Sequence, residues 1–122
     1  MKHLKEYKLF ENFDQLKSIC DENLAYILDN NFYYYIDESD SKEFIRIELY
    51  KNNFEEDEGF YWSDVKDDYE VLIDLLTEYN YIIDEIIVIH FHGQENLVGK
   101  NIFNIKLDDD KLINELKMYI KK

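Results

Sequence analysis

The sequence predicts an α+β fold: a single domain over residues 1–122, with elements in the order α-β-β-α-β-β-α. An antiparallel or mixed four-stranded sheet is expected, with the helices packed on one face. Three observations lead there. Apolar residues recur at helical spacing in two long stretches. Pairs of short segments rich in β-branched and aromatic residues follow each of them. Composition agrees, since 46% of the 122 residues are apolar and 16% aromatic, too many core formers for a disordered acidic chain. No proline and only three glycines leave no linker or low-complexity stretch.

The elements read in order. Phe13, Leu16, Ile19, Cys20, Leu24, Ile27 and Leu28 fall on one helical face, with Asn12 as expected N-cap, Gln15 three residues on, and Asn30-Asn31 as a left-handed stop. Phe32 to Asp37 and Glu43 to Tyr50 read as a hairpin turning through residues 38–42. Ile45, Ile47 and Leu49 alternate there with Arg46, Glu48 and Tyr50, so one face is wet. Ser63 is expected to cap a second helix from Asp64 to Tyr79. Ile86 to His92 and Asn101 to Leu107 read as a second strand pair, joined by a loop bounded by Gly93 and Gly99. A closing helix is expected from Asp108-Asp109-Asp110 to Lys121-Lys122, both charge signs matching its dipole.

The net charge is −14, unevenly spread. Residues 1–10 and 111–122 carry +2 and +3, whereas Asp37 to Glu85 holds seventeen acids against Lys42, Arg46, Lys51 and Lys66. Such a field repels nucleic acid and anionic lipid and draws cationic surfaces at enhanced rates, so direct nucleic-acid binding and membrane association are not expected. The longest apolar run, Ile86 to Ile89, spans no bilayer, and the N-terminus develops no secretory apolar core. One cysteine, Cys20, excludes an internal disulfide and suits a reducing compartment, so the expected location is cytoplasmic.

The acids are patterned. In "FEEDEGFYWSDVKDDYE", residues 54–70, eight carboxylates stand against one lysine. Within the second helix Val65, Tyr69, Leu72, Ile73 and Leu76 share one face, and Asp67, Glu70, Asp74 and Glu78 line the opposite one at spacings of three, four and four. Like charges at that spacing destabilise a helix by a few tenths of a kcal/mol per pair. Interleaved lysines would gain as much, yet Lys66 is the only one available and lies off the row. A charged helix face is ordinarily a solvated one. This row, extended by Glu55, Glu56, Asp57 and Glu58, also has the linear charge spacing to stand in for a phosphate backbone. Tyr61 and Trp62 sit beside it as candidate aromatic anchors of a partner-binding edge.

Other chemistry is sparse. His90 and His92 in "IIVIHFHGQE" share a strand face with Glu95 following in the loop, but two imidazoles only begin a zinc site, and His3, Cys20 or Glu95 would have to complete it. "LDDDKLINE" lacks the glycine and ligand alternation of a calcium loop. No serine-histidine-aspartate spacing, phosphate loop or nucleophile elbow occurs. Neither a catalytic residue, a metal nor a cofactor is expected.

"LKEYKLFENFDQLKSICDENL", together with "FYWSDVKDDYEVLIDLLTEY", resembles small uncharacterised acidic proteins of tailed phages, many of which open with a basic segment and a Lys-Leu-Phe-Glu stretch. The resemblance implies a host-takeover or anti-defence role in the host cytoplasm and transfers no functional residue. It matches in strategy the acidic phage inhibitors, anti-restriction or anti-CRISPR in type, that occupy nucleic-acid sites as DNA mimics. The expected function is therefore non-enzymatic, with a basic, nucleic-acid-binding enzyme as partner. An immunity protein for a basic toxin and a virion or assembly component are the alternatives. A homodimer through the tyrosine-rich strand face stays open.

Overall fold

A computed structural model describes residues 2–38, 43–51 and 59–121, with the first helix's side chains described from Phe13 onward. Two helices, α1 (Lys2–Asn23) and the single turn α2 (Ala25–Leu28), lead into β1 (Phe32–Glu38) and β2 (Ile45–Lys51). A short β3 (Phe60–Tyr61) runs into α3 (Trp62–Glu78). Then follow β4 (Ile82–His90), β5 (Gly93–Val98), a 3₁₀ turn at Gly99–Ile102, β6 (Leu112–Ile113) and β7 (Glu115–Lys121). The fold is α+β, as the periodicities predict. The main sheet has five strands rather than four, in the order β1-β2-β7-β4-β5 with every neighbouring pair antiparallel, and β3 pairs with β6 in a second small sheet.

Alternation places the core. Phe32 in β1, Ile47 and Leu49 in β2, Leu116, Met118 and Ile120 in β7, and Ile86 and Val88 in β4 are buried on one face of the sheet. Leu16, Ile19, Cys20 and Leu24 of α1, Ile27 of α2, and Val65, Tyr69, Leu72, Ile73 and Leu76 of α3 close over them in one cluster. α1 packs against β1 and α3 against β4, and the two helices pack against each other. The opposite sheet face is a grid of three rows read across the strands. The rows are Tyr33-Tyr50-Glu115-Ile89-Gln94, Tyr35-Glu48-Lys117-Ile87-Asn96 and Asp37-Arg46-Tyr119-Glu85-Val98.

The first hairpin and the apolar faces of the helices lie where the sequence puts them. Four boundaries do not. α1 starts at Lys2, so Asn12 is inside a helix and not its cap. Asn31 does take the left-handed conformation, with φ 69°. α3 begins two residues earlier than Ser63 implies. Tyr61 is its N-cap residue, and the Tyr61 backbone N–H donates to the Asp64 carboxylate at 3.0 Å. The partner of β4 is residues 93–98, which the sequence assigns to a loop, while 101–107 is no strand. The chain reverses over Phe91-His92, pairing His90 with Gly93, and Gly99, with φ 58°, ends β5.

The expected closing helix is absent, and residues 112–121 are strands. Leu116, Met118 and Ile120 alternate with Glu115, Lys117, Tyr119 and Lys121, a period of two that fits the gap between β2 and β4. Burial on a central strand outweighs end charges that suit a helix dipole, a term of under about 1 kcal/mol. Asp108-Asp109-Asp110 therefore caps nothing of its own. Instead the carbonyls of Asp109 and Lys111 accept from the Ser63 and Trp62 N–H groups, each at 3.0 Å, satisfying the first turn of α3.

Candidate functional site: an acidic helical face

α3 presents its row as expected. Trp62, Val65, Tyr69, Leu72, Ile73 and Leu76 face the core, while Asp67, Asp74 and Glu78 are exposed and Glu70 is half-buried. Asp67 and Glu78 are eleven positions apart. At 1.5 Å per residue the row is roughly 16 Å long. One DNA strand places about five phosphates along that length, against four carboxylates here.

Electrostatics sets this face apart. Lys66, the single lysine of α3, has its ammonium 3.9 Å from Asp109 on the far side of the row. Among the described residues no lysine or arginine lies within 4 Å of Asp67, Glu70, Asp74 or Glu78. Two cations of the open sheet face are paired there. Arg46 lies 3.0 Å from Glu48 and 3.5 Å from Asp37, and Lys117 lies 3.8 Å from Glu48. α1, alongside α3, exposes Asp14, Asp21 and Glu22 with Lys17 among them. Ion pairing is thus found on the open sheet face and, among the described residues, not along the acidic row.

The aromatic cluster divides by strand alternation. Phe60 turns inward against Phe32, ring centroids 5.1 Å apart, and Tyr61 turns outward with half its surface exposed. Trp62 turns inward again and is 0% exposed. Trp62 therefore cannot anchor a partner: as the first residue of α3 it is needed to seal the core below β3. Glu55, Glu56, Asp57 and Glu58 lie outside the described residues.

An aromatic the sequence reading missed takes the vacant place. Between α3 and residues 102–105 runs a groove of about 230 Å³, lined by Glu70, Ile73 and Asp74 on one side and Ile102, Phe103, Asn104 and Ile105 on the other. Phe103 is 59% exposed, beside the middle of the acidic row. Reading 101–107 as a strand hid it. The available signal was Gly99 with Asn101 and Asn104, breakers that bracket a lone large apolar residue.

The remaining candidates separate. His90 and His92 are not side by side on a strand: His92 sits in the hairpin turn, its N–H donating to His90 Nδ1 at 3.4 Å. A 280 Å³ hollow there is shared with Asp108 and Asp110, but among the described residues no three histidine, cysteine or acidic side chains are grouped to hold a metal. Cys20 is buried, and burial pushes its thiol up to about 12, out of reach of reaction. Among the described residues no helix is long and apolar enough to cross a membrane. The chain matches no protein-family model, and no curated protein or solved structure resembles it significantly.

Proposed function

We propose that this protein acts by binding, laying its acidic helical face into the basic nucleic-acid cleft of a DNA-processing or defence enzyme in place of a phosphate backbone. The observation that carries the reading is the row Asp67, Glu70, Asp74 and Glu78 with no cation in reach among the described residues. A helix shaped only by solubility would keep Lys66 or another cation on the row, since each i,i+4 pair gains a few tenths of a kcal/mol. Here four like charges are held on a rigid helix whose other face is locked into the core.

Binding of this kind replaces many cleft-phosphate contacts at once. Long-range attraction steers the encounter, and release of ions from both surfaces drives it, so affinity falls as salt rises. Tyr61 at one end of α3 and Phe103 beside its middle supply the apolar contact that fixes orientation. In the setting that the phage-like sequence features suggest, the target is a restriction, CRISPR or other host nuclease.

The test is capture from a host lysate, washed with rising salt, by the native chain and by a variant carrying Asp67→Lys, Glu70→Lys, Asp74→Lys and Glu78→Lys. Nucleic-acid enzymes released by salt, displaced by duplex DNA and lost in the variant are the expected result. Equal capture by the variant overturns the reading.

A further inference from the structure

β1 ends the sheet. Among the described residues it pairs with β2 alone, in unbroken register from Phe32 to Glu38. Edge strands of soluble proteins are ordinarily blunted by lysine, proline, a bulge or shortness. Phe-Tyr-Tyr-Tyr-Ile-Asp-Glu has no lysine, proline or bulge and carries charge only at its end, in Asp37 and Glu38; it is seven residues long and rich in strand-forming aromatics. The other edge, β5, is Gly-Gln-Glu-Asn-Leu-Val, mostly polar and backed by the 3₁₀ turn.

Along the same edge lies a trough of about 390 Å³ between α1 and β1, lined by Phe13, Asp14, Lys17, Asp21, Tyr34 and Ile36 among others. The Tyr34 hydroxyl donates to Asp21 at 2.5 Å, holding one wall in place.

We infer that β1 is a self-association edge, pairing antiparallel with β1 of a second copy about a two-fold axis at Tyr35 to give a continuous ten-stranded sheet. A two-fold axis perpendicular to the sheet keeps both helical layers on the same side. It sets Tyr35 opposite Tyr35, Tyr34 opposite Ile36, Tyr33 opposite Asp37 and Phe32 opposite Glu38. This register is what selects a second copy as the occupant. Both acids of the strand fall opposite aromatics and none opposite another acid, and Asp37 already has Arg46 as counter-charge at 3.5 Å. On the helix side, Tyr34 of each copy reaches the other's Ile36 at the mouth of the trough. The acidic row is carried by α3, which packs on β4 while α1 packs on β1, and only the start of α3, at Ser63 and Asp64, comes near β1 at Phe32. Self-association and partner binding therefore use separate surfaces, and either can fail without the other.

Salt distinguishes them. Two chains of −14 repel, so screening strengthens this dimer while it weakens an acidic-face complex.

The experiment is sedimentation equilibrium of the full chain at low and moderate salt, with oxidative cross-linking of Tyr35→Cys. Opposed residues of an antiparallel pair have Cα atoms about 4.5–5.5 Å apart, inside disulfide range. Tyr33→Cys would sit about 13 Å from its own copy, out of range. Buried Cys20, the only native cysteine, stays silent. The expected result is a dimer that tightens severalfold with salt, cross-links through residue 35 and not 33, and is lost in Tyr35→Lys with the circular dichroism of the wild type. A chain that sediments as a monomer at every concentration and salt overturns the inference. So does a dimer whose Tyr35→Cys form stays reduced under oxidant.

Discussion

Trp62 and Tyr69 meet edge to face inside the core, ring centroids 6.1 Å apart and planes at 74°, and both the indole N–H and the phenol O–H are buried with no hydrogen-bond partner among the described residues. Burial, and after it the neighbouring Cys20, hold the Tyr69 phenol far above its ordinary range. A hydroxyl taken out of water and given no partner costs on the order of 1–3 kcal/mol. Tyr69→Phe keeps the ring contact and removes that cost. It is expected to stabilise the chain by about 1 kcal/mol, seen as a higher urea midpoint with an unchanged slope. Trp62→Ala, which empties the same corner, should lose about 3–5 kcal/mol.

Asp74 is flanked four residues away on each side by Glu70 and Glu78. Asp74→Lys converts two repulsions into two attractions, each worth a few tenths of a kcal/mol, and should raise stability by about 1 kcal/mol at low salt. The gain should shrink as salt is added. Affinity for a basic target should fall in the same variant, so stability and binding move in opposite directions. Thermal melts beside salt-dependent capture read both.

Gly59 has no room for a side chain. A Cβ built there would lie 2.1 Å from the Ile113 carbonyl oxygen and 2.8 Å from its carbon, both backbone atoms of the paired β6. Gly59→Ala must push β3 from β6 and disturb the backbone that supports the start of α3. A loss of about 2–3 kcal/mol is expected, read by chemical denaturation.

Glu115 sits half-buried on the open sheet face. Burial, and then the neighbouring Glu48, raise its pKa above the ordinary carboxylate value. A carboxyl raised in the folded state favours folding when protonated and opposes it once ionised. Its contribution is therefore intact below the unfolded pKa and lost as pH rises through the folded one. Glu115→Gln should accordingly raise the melting temperature at neutral pH. The advantage should disappear on acidification below the normal glutamate range, and a series of melts from acid to neutral pH checks the sign.

What was legible in the sequence follows from the range of the forces involved. The faces of α1 and α3 show in the spacing of Leu16, Ile19, Cys20, Leu72, Ile73 and Leu76, because a helix's pattern is local and each period repeats within four residues. The β1–β2 hairpin shows for the same reason, its partners being neighbours in the chain. β7 does not, because its apolar alternation acquires meaning only between two strands that are far away in sequence. Its flanking charges point to a helix instead. The acidic row was readable as a pattern, but the lack of a cation beside it among the described residues depends on where Lys66 and Arg46 end up in space. Trp62 and Phe103 exchanged roles because burial next to a turn is decided by tertiary contacts. Composition marks both as large and apolar and does not say which one faces water.

β7 lies between β2 and β4, so the two hairpins of the sheet, β1–β2 and β4–β5, never touch each other directly. During synthesis the ribosome releases both hairpins before residues 115–121 emerge, and each must wait with an unpaired inner edge. The sheet closes in one late event as the last strand slides between them. A nascent chain halted before residue 115 should consequently expose two open edges at once, a substrate for chaperones and proteases, whereas release of seven more residues converts it to the finished sheet.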